Sequence, residues 1–169
     1  MIHPPDCFSA RQQRSASGLN AQIPNGRDFI AMLEAFRASG GAAPGSVLSR
    51  LLEEYRVRDP VSLAELVYAG QVFGFEWRAN LWIPMFQFEA GDLAVKSSAQ
   101  RVRAQLPLLS GWALALWFAS PNALLHGDIP ANVLDSDIEP VMAAARSAGS
   151  AELSWIPDSP ALRPTVAQS

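Results

Sequence analysis

In the first half of the chain, apolar residues recur at the i, i+3, i+4, i+7 spacing of amphipathic helices. One set precedes Gly40-Gly41, a pair that favours a helix end, and consists of Phe29, Met32, Leu33 and Phe36. A second set follows Ser46, a predicted N-cap, and consists of Leu48, Leu51, Leu52 and Tyr55. Ser62 and Glu65 form a capping-box pattern that predicts the start of a third, shorter helix.

The pattern changes beyond residue 70, where aromatic and β-branched residues dominate two runs, Val72 to Trp77 and Leu81 to Phe88. Arg78-Ala79-Asn80 separates the runs, which together predict a β-hairpin. Pro84 lies inside the second run. Because proline lacks the N–H that a strand ladder requires, we expect this strand to lie at a sheet edge or to contain a bulge.

Helical spacing returns in the second half. Ser98 to Leu106 and Ser110 to Ala119 predict two helices, each beginning at a serine able to cap it. Ser136 and Glu139 form a second capping-box pattern before a further helix, which we expect to end at Gly149. The remaining residues contain Trp155 and three prolines, which favour an extended tail.

These elements predict a mainly α fold with a small antiparallel β-hairpin, packed as one compact domain. We divide the chain into a flexible leader at 1–26, a helix-turn-helix-like region at 27–79, a helical domain at 80–148 and an extended C-terminal tail at 149–169. Low periodicity and a Ser-, Gln- and Pro-rich composition set the leader apart.

Composition narrows the functional classes. With 49% apolar and 17% charged residues, the sequence is typical of a globular protein, and no apolar run reaches the roughly 18 residues of a membrane span. A single cysteine excludes an intrachain disulfide and fits a cytoplasmic protein. The sequence contains two histidines and one cysteine, too few for a zinc site without carboxylate ligands, so we expect neither metal nor cofactor. The sequence also lacks nucleophile-elbow, phosphate-loop and zinc-protease motifs, which predicts a protein that is not an enzyme.

The most specific stretch runs from Trp117 to Leu134. In physical terms, Pro121 stops an aromatic helix, and Asn122 hydrogen-bonds its own backbone to turn the chain. Gly127 then permits a positive φ. Leu125 would anchor the loop, and Pro130 suits the first turn of the next helix.

This stretch resembles the toxin-binding domain of Xre/MbcA/ParS-type antitoxins, which share a Trp-x-x-x-Pro-Asn-x-x-Leu-x-Gly-x-x-Pro-x-x-x-Leu pattern. The matching positions are Trp117, Pro121, Asn122, Leu125, Gly127, Pro130 and Leu134. The segments Ile83 to Phe88 and Val141 to Arg146 are also similar to the family, so that the resemblance covers about residues 80–148. It implies a non-enzymatic module that neutralises a cognate toxin, often a RES-type toxin that degrades NAD, by covering the entrance to its active site.

Each of the seven matching residues also has a structural explanation as a corner, cap or core residue. The candidate partner contacts are therefore others: His126 in the loop, Arg146 on the last helix and Trp155 in the tail. Homodimer formation through the helical half is a further hypothesis. An orphan interaction domain without a toxin is an alternative.

A DNA-binding regulator is the second hypothesis, because two short helices followed by a hairpin have the order of a helix-turn-helix with a wing. The predicted recognition helix, residues 62–69, contains an acid and no basic residue. Arg78 and Asn80 at the hairpin tip are the candidate DNA contacts. The net charge of −3 and the lack of a Lys/Arg cluster argue against tight nucleic-acid binding.

Overall fold

The first helix, α1 (Gly26–Phe36), begins with a capping box. The Asn25 side chain accepts hydrogen bonds from the backbone N–H groups of Arg27 and Asp28, and the Asp28 carboxylate accepts one from the Asn25 N–H. A 3-10 turn (Arg37–Ser39) then leads to Gly40 at φ 101°. The computed structural model describes residues 24–56 and 59–154. Residues 1–23 of the predicted leader therefore lie outside the described residues.

A short strand and two helices follow: β1 (Ala42–Pro44), α2 (Gly45–Tyr55) and α3 (Leu63–Tyr68). The predicted capping box of Ser62 and Glu65 is confirmed at the start of α3. Ser46, by contrast, lies inside α2 and is not its N-cap, because the helix begins one residue earlier, directly after Pro44. The proline fixes its own φ and leads straight into the helix.

The predicted hairpin is formed by β2 (Phe75–Trp77) and β3 (Asn80–Pro84), and it belongs to an antiparallel sheet in the order β1-β3-β2. Arg78 and Ala79 make the turn, both with positive φ, as two-residue hairpin turns require. The prediction that the Pro84 strand would lie at an edge or contain a bulge was wrong, because β3 is the central strand of the three and pairs residue for residue with both neighbours. Pro84 is tolerated there because it is the last residue of β3, opposite Ala42 and beyond the ladder with β2.

The second half contains α4 (Ser97–Arg103), α5 (Gly111–Ala119), α6 (Pro130–Val133) and α7 (Ile138–Ser154). The predicted serine caps of α4 and α5 are not formed, since Lys96 precedes α4 and the Ser110 side chain makes no capping bond. Nor do Ser136 and Glu139 form a capping box. Ser136 donates its hydroxyl to the carbonyl of Val133, and the Asp137 carboxylate accepts the Glu139 N–H instead.

Gly149 does not end α7, which continues to Ser154. The extended tail predicted from residue 149 is therefore wrong for residues 149–154, and residues 155–169 lie outside the described residues. Gly149 is needed for a different reason. A Cβ at this position would lie 2.2 Å from the carbonyl oxygen of Gln105, so that only glycine lets the helix approach that backbone so closely.

The buried side chains form two clusters. The larger joins α1, the hairpin, and α4 to α7, while the smaller joins α2 and α3 to the hairpin and to Phe88. The clusters do not follow the predicted boundary between residues 79 and 80, which falls inside the hairpin. Helices α2 and α3 followed by the hairpin have the predicted helix-turn-helix-like order, and the predicted mainly α fold with a small antiparallel hairpin is confirmed, with β1 added to the hairpin as a third strand.

Candidate functional site

The chain reverses direction between α5 and α6 in a segment that we call the corner, residues 120–130. The helix ends at Ala119, and Ser120 is extended at ψ 142°. Pro121 explains the change, because proline disfavours helical backbone in the residue before it and cannot continue the hydrogen-bond ladder. The predicted stop at this proline is confirmed.

Asn122 closes the corner with four hydrogen bonds. Its side-chain oxygen accepts from the N–H of Leu124 at 2.9 Å, and its carbonyl accepts from Leu125 at 3.0 Å and Gly127 at 2.9 Å. Its own N–H donates to the carbonyl of Asp128 at 3.0 Å. The side-chain bond to the Leu124 N–H confirms the predicted role of Asn122, and the backbone N–H and carbonyl of the same residue hold both ends of the loop.

The remaining motif residues complete this scaffold. Gly127 has φ 93°, and Pro130 is the first residue of α6, as predicted. Leu125 and Leu134 are buried in the larger cluster. Trp117 packs edge to face against Phe118 with ring centroids 4.9 Å apart, which places its ring at the margin of the same cluster.

Exposed side chains at the corner are those that a partner could contact. Leu124 lies in the corner and is 57% exposed, and Leu116, one turn before the end of α5, is 50% exposed. His126 is exposed and held at φ 56°. We call Leu116, Leu124 and His126 the corner face.

Of the other two candidate contacts, Arg146 lies within the described residues. Arg146 is exposed on α7, the helix that packs against the 3-10 turn Ala123–Leu125 of the corner. Trp155 lies outside the described residues. The sequence did not single out Leu116, because every residue of α5 from Trp112 to Ala119 is apolar and no polar position marks the exposed side. Leu116 and Leu124 are identified as candidate contacts only by their exposure in the folded chain.

The acidic residues before α7 are accounted for by local partners. Asp135 pairs with Lys96, Glu139 lies 3.7 Å from Arg101, and Asp137 accepts a backbone N–H at the start of the helix. Within the described ranges, no group of three histidine, cysteine or acidic side chains is placed to hold a metal ion. Among the described helices, none has the length and apolar character to cross a bilayer.

The two candidate DNA contacts are engaged within the hairpin. The Arg78 guanidinium lies over the ring of Trp77, 5.4 Å from its centroid, and the Asn80 amide donates to the Arg78 carbonyl at 3.2 Å. The exposed side chains of α3, at the position of a recognition helix, are Ala64, Glu65 and Tyr68. None of them carries a positive charge toward a phosphate.

Comparison of the chain with protein-family models, with curated proteins and with solved structures gives no match.

Proposed function

We propose that the chain is a non-enzymatic protein-binding module of the antitoxin type, which neutralises a RES-type toxin by covering the entrance to its active site. The observation that carries the proposal is the corner itself. The residues that match the antitoxin pattern build a hydrogen-bonded turn that leaves Leu124 57% exposed, and Leu116, one helical turn before the end of α5, is 50% exposed.

The corner face has the properties of a preorganised interface. The hydrogen bonds of Asn122 fix the backbone before any partner arrives, which reduces the entropy that binding would otherwise cost. Leu116 and Leu124 still expose 50% and 57% of their surface, so that covering each would contribute about 1 kcal/mol. Arg146 on the neighbouring α7 would supply a charged rim to this apolar centre.

Co-expression tests this proposal. If a RES-type toxin gene lies beside the gene for this chain, we expect the wild-type chain to restore growth and NAD levels in cells that express that toxin. The double variant Leu116→Asp/Leu124→Asp should lose this protection while remaining folded. Leu108→Asp is the matched control, because Leu108 is also 50% exposed but lies before α5, away from the corner.

Continued toxicity in the presence of soluble wild-type chain would refute neutralisation. Protection that survives the double corner variant would instead place the interface elsewhere. We further propose that the protein acts in the cytoplasm, where its single cysteine would remain reduced.

A DNA-binding regulator is a second candidate, favoured by the winged helix-turn-helix order of elements. Its test is a gel-shift titration of the chain against the DNA upstream of its own gene. Binding that weakens steeply with salt would support this candidate, and no shift at micromolar protein would exclude it. The side chains on α3 favour the protein-binding function over this one.

A further inference from the structure

A groove runs between α3, the start of α2 and the turn of the hairpin, on the side that a winged helix-turn-helix would present to DNA. Its volume is about 560 Å³. None of the described residues that line it is charged, and its apolar contacts come from Leu63, Ala64, Val67, Tyr68 and Leu81. Tyr68 stands at its margin, 95% exposed.

A second depression of about 380 Å³ adjoins the groove at the start of α3. The two share Ser49, Leu63 and Ala64 as lining residues. Here the described lining is acidic, with the carboxylates of Glu53 and Glu65 and no basic side chain. We call the two depressions together the α3 groove.

Glu65 is held in its charged form by the capping box. The backbone N–H and the hydroxyl of Ser62 donate to its carboxylate at 3.0 Å and 2.9 Å, and these bonds lower the pKa of Glu65. Arg50, one turn beyond Ser46 on α2, lines neither depression. The α3 groove therefore has an apolar end and a negative end.

This charge distribution is unsuited to nucleic acid. A duplex would bring phosphates toward Glu53 and Glu65, where repulsion opposes binding. An exposed aromatic ring beside an uncharged groove is instead typical of surfaces that bind an amphipathic helix through its apolar face.

From this juxtaposition we propose that the α3 groove binds a protein, by receiving a short amphipathic helix whose apolar side chains fill the neutral end and whose lysine or arginine side chains meet Glu53 and Glu65. The surface is separate from the corner face. The chain would thus hold two protein partners, or two segments of one partner.

A defined peptide tests the charge and apolar requirements together. The probe is a fluorescent Leu/Lys peptide of about 14 residues, long enough for an amphipathic helix. Its controls are a Leu/Glu peptide with the same apolar face and a short DNA duplex. Binding to the full chain is measured by fluorescence anisotropy at physiological salt.

Two pairs of exposed residues provide matched variants. Tyr68→Ser removes the aromatic ring in the groove, and Tyr55→Ser is its control because Tyr55 is 63% exposed and lines neither depression. Glu53→Lys reverses a lining charge, and Glu54→Lys does the same at its exposed neighbour outside the lining. Since all four side chains face solvent, we expect each variant to fold.

We expect the Leu/Lys peptide to bind more tightly than either control ligand. Tyr68→Ser should weaken its binding about tenfold and Glu53→Lys about fivefold, while Tyr55→Ser and Glu54→Lys leave it within about twofold. The proposal would be overturned if the Leu/Lys peptide did not bind, if the Leu/Glu peptide bound equally well, or if the duplex bound more tightly. Equal effects of the two variants within each matched pair would also overturn it. Because the corner face is untouched, these variants should still protect against the toxin, so the two proposals fail separately.

Discussion

The two core clusters of this molecule differ in what fills them. Among the described residues, the larger contains nineteen buried residues, five of them phenylalanines, whereas the smaller contains seven, of which Phe88 is the aromatic one. Since buried apolar area is the main stabilising term, the region of α2 and α3 has less of its own to keep it folded. It depends more on contacts with the rest of the chain.

Two polar contacts hold the segment that follows α3. Gln87, 1% exposed, accepts the N–H of Phe73 and donates to the carbonyls of Phe73 and Pro84. Arg103 on α4 donates to the carbonyl of Gly70, directly after α3, and so links the smaller region to the larger. The comparison suggests a stable helical scaffold that carries a less stable α2–α3 region.

The largest effect should come from Phe118→Ala. The Phe118 ring contacts those of Phe73, Phe86 and Trp117 at the centre of the larger cluster, so its removal should lower the free energy of unfolding by about 3–5 kcal/mol. Chemical denaturation measures this loss. Leu52→Ala, in the smaller cluster, provides the comparison.

Hydrogen exchange on the two variants separates global from regional effects. Leu52→Ala should expose the amides of α2 and α3 while those of α5 and α7 remain protected, whereas Phe118→Ala should reduce protection throughout. If both variants lowered protection uniformly, the two regions would unfold as one unit and the comparison would fail.

Next in size is Gln87→Leu. Leucine fills a similar volume in the core but leaves the N–H and carbonyl of Phe73 and the carbonyl of Pro84 without this partner. We expect the free energy of unfolding to fall by about 3 kcal/mol. Denaturation of this variant beside exposed Gln71→Leu measures the cost. A loss no greater than that of the control would show that the bonds of Gln87 to Phe73 and Pro84 do not stabilise the fold.

Local sequence signals predicted the corner better than the rest of the fold. Pro121, Asn122, Gly127 and Pro130 act through their own backbone or that of near neighbours, so that residue type alone indicates their structure. The same holds for the capping box of Ser62 and Glu65. Each is a contact within a few residues.

Features that depend on distant contacts were missed. β1 is a strand only because Ala42–Pro44 pairs with β3, some forty residues away, and this pairing made β3 central. Position 149, inside α7, requires glycine because the backbone of Gln105 passes close by. No local sequence signal distinguishes that role of a glycine from a helix stop. The exposed face of α5 and the α3 groove likewise depend on which neighbours cover them.

Gly149→Ala tests the close approach within the larger region. The added Cβ would lie 2.2 Å from a backbone oxygen that cannot rotate away, and we expect a net loss of about 1–2 kcal/mol after the gain in helix propensity. Gly91→Ala is the control, since nothing lies within 4 Å of its added Cβ. Equal melting temperatures for the two variants would contradict the tight packing of α7.

The smallest effect concerns the cap of α3 in the less stable region. Hydrogen bonds from the backbone N–H of Ser62 and, second, from its hydroxyl lower the pKa of Glu65 below its ordinary value of 4.5. Ser62→Ala removes the hydroxyl but keeps the N–H, so it should raise this pKa only part of the way back. Because the folded-state pKa is lower than the unfolded one, Glu65 stabilises the fold above the unfolded value, and this contribution is lost as pH falls through the folded pKa. The stability difference between wild type and Ser62→Ala should therefore narrow in acid.

Titration of the Glu65 carboxyl by NMR measures this shift directly. Ser150→Ala is the control, because the Ser150 hydroxyl donates to the backbone carbonyl of Arg146 and to no carboxylate. An unchanged pKa of Glu65 in Ser62→Ala would mean that the Ser62 hydroxyl does not contribute to the shift and that the backbone N–H alone lowers the pKa. In that case the stability difference between wild type and Ser62→Ala would not depend on the charge of Glu65.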